Sequence, residues 1–170
     1  MSKRFIATFV CSALGLMGAS GFALAETFGR YECSVIGTIG KDPIVAQAGH
    51  LLVSLEYSCV GVDGIMKGDV HTASSASEWI GPKGTFLRGG GVHRAPEGLA
   101  VSVITEGTGW VVKSGDTEYA GPAGTESAGK AIFKFASGSL AALSGKTFKF
   151  STKPTAPNRF VMEFTDLAPN

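Results

Sequence analysis

Seven charged or imidazole side chains lie in segments that have the alternating pattern of β-strands, where they could face a ligand pocket. A histidine and a carboxylate that share one apolar pocket could carry out general acid/base chemistry, because burial shifts both pKa values towards neutrality. Charged residues in the strands of a small β-protein more often lie on the solvent face or in structural ion pairs. The seven residues are Glu56, His71, Glu78, Arg88, His93, Arg94 and Glu106.

Four residues near predicted turns are the candidates for contact with a ligand. Trp79 and Trp110 offer aromatic faces, while Arg88 and His93 offer polar groups that could orient a ligand at the mouth of a barrel. Core or rim packing is the alternative role for the two tryptophans. The alternation around Arg88 does not decide whether its side chain faces the barrel interior or the solvent. We predict that these four residues bind a ligand, and we assign no catalytic residue.

Two motif look-alikes do not support a catalytic or nucleotide-binding role. The segment GTESAGK at 124–130 has the spacing of a phosphate-binding loop, but Ala131 follows where Ser or Thr is required. A Phe-rich strand also follows it, where the motif needs a helix. Ser127 and Lys130 have the spacing of a serine acyl-enzyme motif, yet its partner motifs are absent from the sequence.

Composition restricts the class of protein. The chain has 170 residues, with 15 Lys+Arg against 14 Asp+Glu and 44% hydrophobic residues, which suits one folded domain. A net charge of +1 argues against the large phosphate-neutralising surface that a nucleic-acid partner requires.

The first 25 residues have the pattern of an export signal. Lys3 and Arg4 precede an apolar run, and Ala23-Leu24-Ala25 supplies a small-x-small cleavage pattern. The apolar run is interrupted by glycine and serine, so it is too short for a membrane anchor. We predict a signal peptide at 1–25 and one mature domain at 26–170. We expect the mature protein to be periplasmic or secreted and to have no membrane span.

Loss of the signal removes Cys11 and leaves Cys33 and Cys59, which reach a compartment where disulfides persist. Both lie on apolar strand faces, one with Tyr31 and Val35 and the other with Leu55 and Tyr57. A disulfide in an antiparallel hairpin would pair Val35 with Tyr57 and Ile39 with Val53, with the turn near residue 46.

The cysteines and the histidines at 50, 71 and 93 form no cluster with metal-ligand spacing, so we predict no metal and no cofactor.

The rest of the chain reads as short strands separated by turn residues, without an amphipathic helix of ten residues or more. Phe133 and Phe135, and the aromatic positions of the last two strands, share one alternation phase. We predict a single antiparallel β-barrel of about eight strands, with a two-sheet sandwich as the alternative. After the hairpin, the predicted strands are 65–73, 85–94, 99–106, 110–113, 130–136, 146–153 and 159–165, with an exposed loop at 114–129.

Three segments carry a resemblance: EWIGPKGTFL at 78–87, GVHRAP at 91–96 and ASGSLAALSGK at 136–146. Together they resemble a family of small exported bacterial proteins of unassigned function. The last segment is also similar, more distantly, to the Gly-rich hairpin of allene-oxide-cyclase-like and dirigent-like barrels. That likeness implies an eight-stranded barrel with an apolar cavity, and it carries over no catalytic residue.

Three functions follow from these patterns. The first is binding of a small apolar or amphipathic ligand inside the barrel. The second is a structural or protein-interaction role with a filled interior. The third is a cofactor-free isomerase or cyclase that uses a His/carboxylate pair. The sequence favours a non-catalytic protein because no complete catalytic constellation is present, and it identifies no protein partner.

Overall fold

The computed structural model describes residues 27–114, 117–118 and 124–169, so the predicted signal peptide lies outside the described part of the chain. None of the described residues forms a helix long and apolar enough to cross a bilayer. The strands are β1 Thr27–Pro43, β2 His50–Gly64, β3 Val70–Ile80, β4 Lys83–Ala95, β5 Gly98–Val111, β6 Lys113–Ser114, β7 Thr117–Glu118, β8 Thr125–Gly138, β9 Lys146–Ala156 and β10 Arg159–Pro169. A short 3-10 helix, Ala141–Leu143, lies between β8 and β9.

Eight strands form one closed antiparallel barrel in which each strand pairs with its neighbours along the chain. The order runs from β1 through β5 to β8, β9 and β10, and β10 pairs with β1 to close the barrel. β6 and β7 form a separate two-stranded ribbon between β5 and β8. The predicted eight-stranded barrel is therefore confirmed, and the alternative two-sheet sandwich is not adopted.

Several strand boundaries differ from the prediction. Residues 65–69 form a loop, so β3 begins only at Val70 and continues to Ile80. The predicted strands 99–106 and 110–113 join in one strand, β5, which ends at Val111, while Lys113 belongs to β6. Residues 125–129, predicted as loop, open β8. Gly107 lies within β5 and does not interrupt it. Its missing side chain leaves space for an aromatic ring, since a Cβ there would lie 2.8 Å from Cδ2 of Phe86.

Alternation along the strands fills the barrel core with aromatic side chains. Phe148, Phe150, Phe160 and Phe164 are buried, as their shared phase predicts. Phe133 is fully buried, but Phe135 is 52% exposed. A register shift between Val101↔Phe135 and Ser102↔Phe133 turns Phe135 outwards, because a β-bulge reverses the phase of the residues after it.

The predicted disulfide between Cys33 and Cys59 is formed, and it joins residues directly opposite each other on β1 and β2. Val35 lies opposite Tyr57, as predicted, and the connecting turn occupies 44–49. The predicted pairing of Ile39 with Val53 is wrong. The register shifts between Ile36 and Gly40, so Lys41 lies opposite Val53. Gly37, within this irregular stretch, adopts a φ of 72°, which favours glycine.

The two ends of the barrel differ. At the end where β2 and β8 finish, the loop 65–69 places the fully buried Met66 over the core, and Leu140 and Leu143 are buried there as well. We call this the closed end. The opposite end, where β1, β3, β5 and β9 finish, we call the open end.

Candidate functional site

A cavity of about 190 Å³ enters the barrel from the open end. Its lining includes Lys41, Gly81 and Val111 near this end, and it extends inwards to Tyr57 and His71. The closed end is filled by the packed core, so the cavity has one mouth within the described residues.

Two walls of the cavity are apolar, because alternate residues of each strand face the interior. β2 contributes Leu51, Val53, Leu55 and Tyr57 at successive inward positions. Strands β9 and β10 contribute the opposite wall, with Phe148, Phe150, Phe160, Met162 and Phe164.

Hydroxyl groups supply most of the polar lining. Ser75, Ser77, Ser102, Thr125, Ser127 and Thr152 line the cavity. Lys41 is the only Lys, Arg, Asp or Glu among the described lining residues. The site is therefore an apolar pocket with a few neutral hydrogen-bonding groups, which is the usual composition of small-molecule sites.

His71 and His93 lie opposite each other on β3 and β4, and their rings stack with centroids 3.9 Å apart and planes inclined by 14°. Burial lowers the pKa of His71 to about 4, while a hydrogen bond with the Val92 backbone opposes the shift. Burial, reinforced by the electrostatic effect of His71, holds the pKa of His93 well below 6.5. Both imidazoles are therefore neutral at pH 7.

Gly91 provides space for this pair. A Cβ on Gly91 would lie 2.7 Å from Cε1 of His71 and would also meet the backbone of Thr72. A larger residue would therefore displace the imidazole that lines the inner part of the cavity.

His93 links a residue in the packed core to a residue in the cavity wall. Its Nδ1 lies 2.9 Å from the Tyr31 hydroxyl, and its Nε2 lies 2.9 Å from Oγ of Ser102. Tyr31 is fully buried, and Ser102 lines the cavity. Burial, together with the charge of Asp69, raises the pKa of Tyr31, so the phenol keeps its proton at neutral pH.

Two buried polar atoms have no hydrogen-bond partner among the described residues: Nδ1 of His71 and Oδ2 of Asp69. Asp69 is 3% exposed and lies at the end of the loop 65–69. Burial raises the pKa of its carboxyl group. Unpartnered buried groups of this kind destabilise the fold. They also make the stability of the protein depend on the protonation of His71 and Asp69.

The four residues predicted to bind a ligand do not lie together. Trp79 lines the cavity, and its Nε1 donates a hydrogen bond of 2.9 Å to Oγ of Ser77. Trp110, Arg88 and His93 are not lining residues in the described chain. His93 is fully buried behind Ser102, away from the mouth where it was expected.

The direction in which each strand position faces explains why Trp110 and Arg88 do not line the cavity. Trp110 is 38% exposed, and its neighbours Gly109 and Val111 line the cavity, so Trp110 faces outwards. The register of β3 with β4 shifts between Ala76↔Arg88 and Ser77↔Phe86. This bulge leaves Arg88 exposed, while Phe86 lines the cavity.

The carboxylates singled out in the sequence lie away from the cavity lining. Glu78 contacts His50, with Oε1 2.6 Å from Nδ1, and Glu106 contacts Lys130 at 2.7 Å. Glu56 is exposed. Among the described lining residues there is no carboxylate, so the His/carboxylate pair that an isomerase or cyclase would use does not form in the cavity.

Sequence reasoning missed two residues, Tyr31 and Ser102, as hydrogen-bonding groups of the site. The phase of Tyr31 had placed it inside the barrel but gave no hydrogen-bond partner. Ser102 lies on the same face of β5 as Ala100 and Ile104, and this shared phase was the signal for an inward-facing hydroxyl.

Comparison with known proteins adds no assignment: no family model, curated protein or solved structure matches this chain. The cavity and its side chains are therefore the basis for assigning a function.

Ser102, His93 and Tyr31 have the connectivity of a nucleophile, a base and an orienting group. The electrostatics differ from those of an acyl-transfer site. The orienting group is a neutral phenol, and burial opposes the imidazolium that must form when His93 takes a proton. The arrangement is therefore better suited to hydrogen bonding than to proton removal.

Proposed function

We propose that this protein binds a small apolar or amphipathic molecule inside the barrel. The observation that carries the proposal is the cavity itself, with its apolar walls, one mouth and scattered neutral hydrogen-bonding groups. Apolar walls favour transfer of apolar ligand surface out of water, while the few polar groups orient the ligand.

The volume limits the size of the ligand. Drug-sized ligands usually occupy pockets of roughly 300–1,000 Å³, and this cavity is smaller, at about 190 Å³. An apolar cavity of about 150 Å³ in another protein is large enough for benzene. The cavity therefore suits one ring or a short chain rather than a large lipid.

The structural or interaction role is the second candidate, and the packed half of the barrel favours it. From the disulfide to the closed end the interior is filled by residues such as Tyr31, Phe133 and Met66, each 0% exposed. The isomerase or cyclase reading is weaker, because the described cavity lining has no carboxylate to pair with His71.

The proposal includes export to the periplasm or cell exterior, with removal of residues 1–25. The buried Cys33–Cys59 disulfide supports it, since disulfides persist in oxidising compartments. The resemblance to small exported bacterial proteins and to allene-oxide-cyclase-like and dirigent-like barrels is part of this proposal.

Tryptophan fluorescence tests the binding proposal, because one tryptophan lines the cavity and the other faces outwards. A panel of fatty acids, quinones, aromatic acids and alkylbenzenes should contain members that change the emission and raise Tm. At a ligand concentration of 100 times Kd the stabilisation is about 2.7 kcal/mol, which corresponds to several degrees.

Two variants localise the signal. Trp79→Phe should abolish most of the fluorescence change, while Trp110→Phe, the matched control, should retain it. If no member of the panel shifts Tm or emission in the wild-type protein, the structural or interaction role replaces ligand binding.

A further inference from the structure

We infer that the hydroxyl group of Ser102 is a directed hydrogen-bond donor to the ligand, and that the ligand carries an uncharged acceptor such as the carbonyl of a ketone, ester or quinone. This inference rests on the proposed function, since it specifies the chemistry of a ligand in the same cavity. It is carried by the hydrogen bonds that join Tyr31, His93 and Ser102.

Two proton arrangements fit the two distances of 2.9 Å around His93. In the first, Tyr31 donates to Nδ1, and Nε2–H donates to Oγ of Ser102. In the second, Nδ1–H donates to the Tyr31 oxygen, and Ser102 donates to Nε2. A neutral imidazole has one donor and one acceptor nitrogen, so each arrangement fixes the direction of both bonds.

The position of Tyr31 decides between them. In the second arrangement the Tyr31 proton needs another acceptor, but the phenol is fully buried and has no acceptor besides His93 among the described residues. Oδ2 of Asp69 has no hydrogen-bond partner, so the Tyr31 hydroxyl makes no hydrogen bond to it in this structure. A buried donor without an acceptor is costly, and the first arrangement avoids it.

The first arrangement leaves the Ser102 hydroxyl hydrogen free to donate. Ser102 lines the cavity, and Gly91 lies opposite it on β4 without a side chain to cover it. A molecule inside the barrel can therefore accept this hydrogen. The bond from His93 occupies Oγ as an acceptor, so Ser102 is biased towards donation.

The surroundings favour an uncharged acceptor over a carboxylate. The polar lining groups on the inner part of β2 and β3 are the neutral His71 and the hydroxyls of Tyr57 and Ser75. Lys41, the one charged residue of the described lining, lies on β1 opposite Val53, towards the open end. A carboxylate at Ser102 would lose its hydration without a nearby cation.

The test compares two ligands that differ in one group. Butyrophenone and butylbenzene have the same ring and chain length, but only butyrophenone carries a carbonyl oxygen. Wild-type protein should bind the ketone about five- to tenfold more tightly than the hydrocarbon, as expected for one hydrogen bond. The carbonyl stretch of bound butyrophenone should also move to lower wavenumber than in an alkane solvent.

Variants assign the donor. Ser102→Ala should remove the preference for butyrophenone, while Ser74→Ala, at a hydroxyl residue outside the cavity lining, should retain it. Tyr31 contacts His93 outside the cavity lining. Nitrogen chemical shifts of His93 should show the Nε2–H tautomer in wild-type protein, and an Nδ1–H tautomer would contradict the assignment.

The outcomes separate the two proposals. Equal binding of both ligands, or a preference that survives Ser102→Ala, overturns the role of Ser102 and leaves ligand binding in place. Failure of both ligands and of the wider panel to bind overturns both proposals. If Ser102→Ala does not fold, an unshifted carbonyl stretch or an Nδ1–H tautomer in the wild-type protein overturns the inference.

Discussion

His71 and His93 stack face to face inside the barrel, with ring centroids 3.9 Å apart, and both are neutral because burial lowers their pKa values. The pair lies between the cavity and the packed core. His71 lines the cavity, whereas His93 contacts Phe133 and Phe164 edge-on. Protonation of either ring would place a positive charge among aromatic side chains next to a second imidazole.

Acidification should therefore destabilise the fold. The pKa of His71 falls from 6.5 in the unfolded chain to about 4 in the folded protein, so the unfolded chain binds more protons in this interval. The stability is full above pH 6.5 and is lost as the pH falls towards 4. Burial raises the pKa of Asp69, which has the opposite effect and offsets part of the loss at the acid end.

His71 alone should account for about 3 kcal/mol over this interval. Urea unfolding at several pH values between 7.5 and 4.5 measures the loss, and His71→Phe, which keeps an aromatic ring in the stack, should reduce the slope. A free energy of unfolding that stays constant between pH 7 and 5 would contradict the prediction.

The disulfide should contribute a large part of the stability. Cys33 and Cys59 are 26 residues apart, and a cross-link of this length stabilises by roughly 3 kcal/mol on the chain-entropy model. Cys59→Ser should cost roughly 2–5 kcal/mol, because it also places a hydroxyl in the core. The double variant with alanine at both positions separates these effects. Titration of unfolded, unreduced protein should find no free thiol at either position, and two reactive thiols would refute the pairing.

A cavity-filling substitution should block binding without unfolding the protein. Val53 lines the middle of the β2 wall, so the ring of Val53→Phe should occupy the space of a ligand. Overpacking typically costs about 1–3 kcal/mol of folding stability. A ligand would have to displace the new ring, so binding should weaken by about tenfold or more. Isothermal titration measures this loss. Val103→Phe, on the partly exposed outer surface, is the control and should bind normally; equal binding by both variants would place the ligand elsewhere.

Processing should expose a new N-terminus at Glu26. Ala23-Leu24-Ala25 closes the apolar run in the manner of a signal-peptide cleavage site. N-terminal sequencing of the exported protein checks the boundary. An intact Met1 or a lipid-modified Cys11 on the exported protein would show the prediction to be wrong.

The sequence alone determined the architecture and much of the interior. Alternation has a period of two in any strand, so the inward phase of Leu51 to Tyr57 and of Phe148 to Phe164 could be read locally. The pairing of Cys33 with Cys59 followed from the same phases together with the expected export to an oxidising compartment.

Only the tertiary structure decided at which residues the inward–outward alternation of side chains changes, and which side chains contact each other across strands. Bulges of one extra residue turn Arg88 and Phe135 outwards, because each bulge reverses the side chains that follow it. On β1, two extra residues between Ile36 and Gly40 move Lys41 opposite Val53. His71, His93, Tyr31 and Ser102 lie on four strands, and Tyr31 is 62 residues from His93 in sequence. Their contacts depend on closure of the barrel and on the register of each strand pair, which local alternation does not specify.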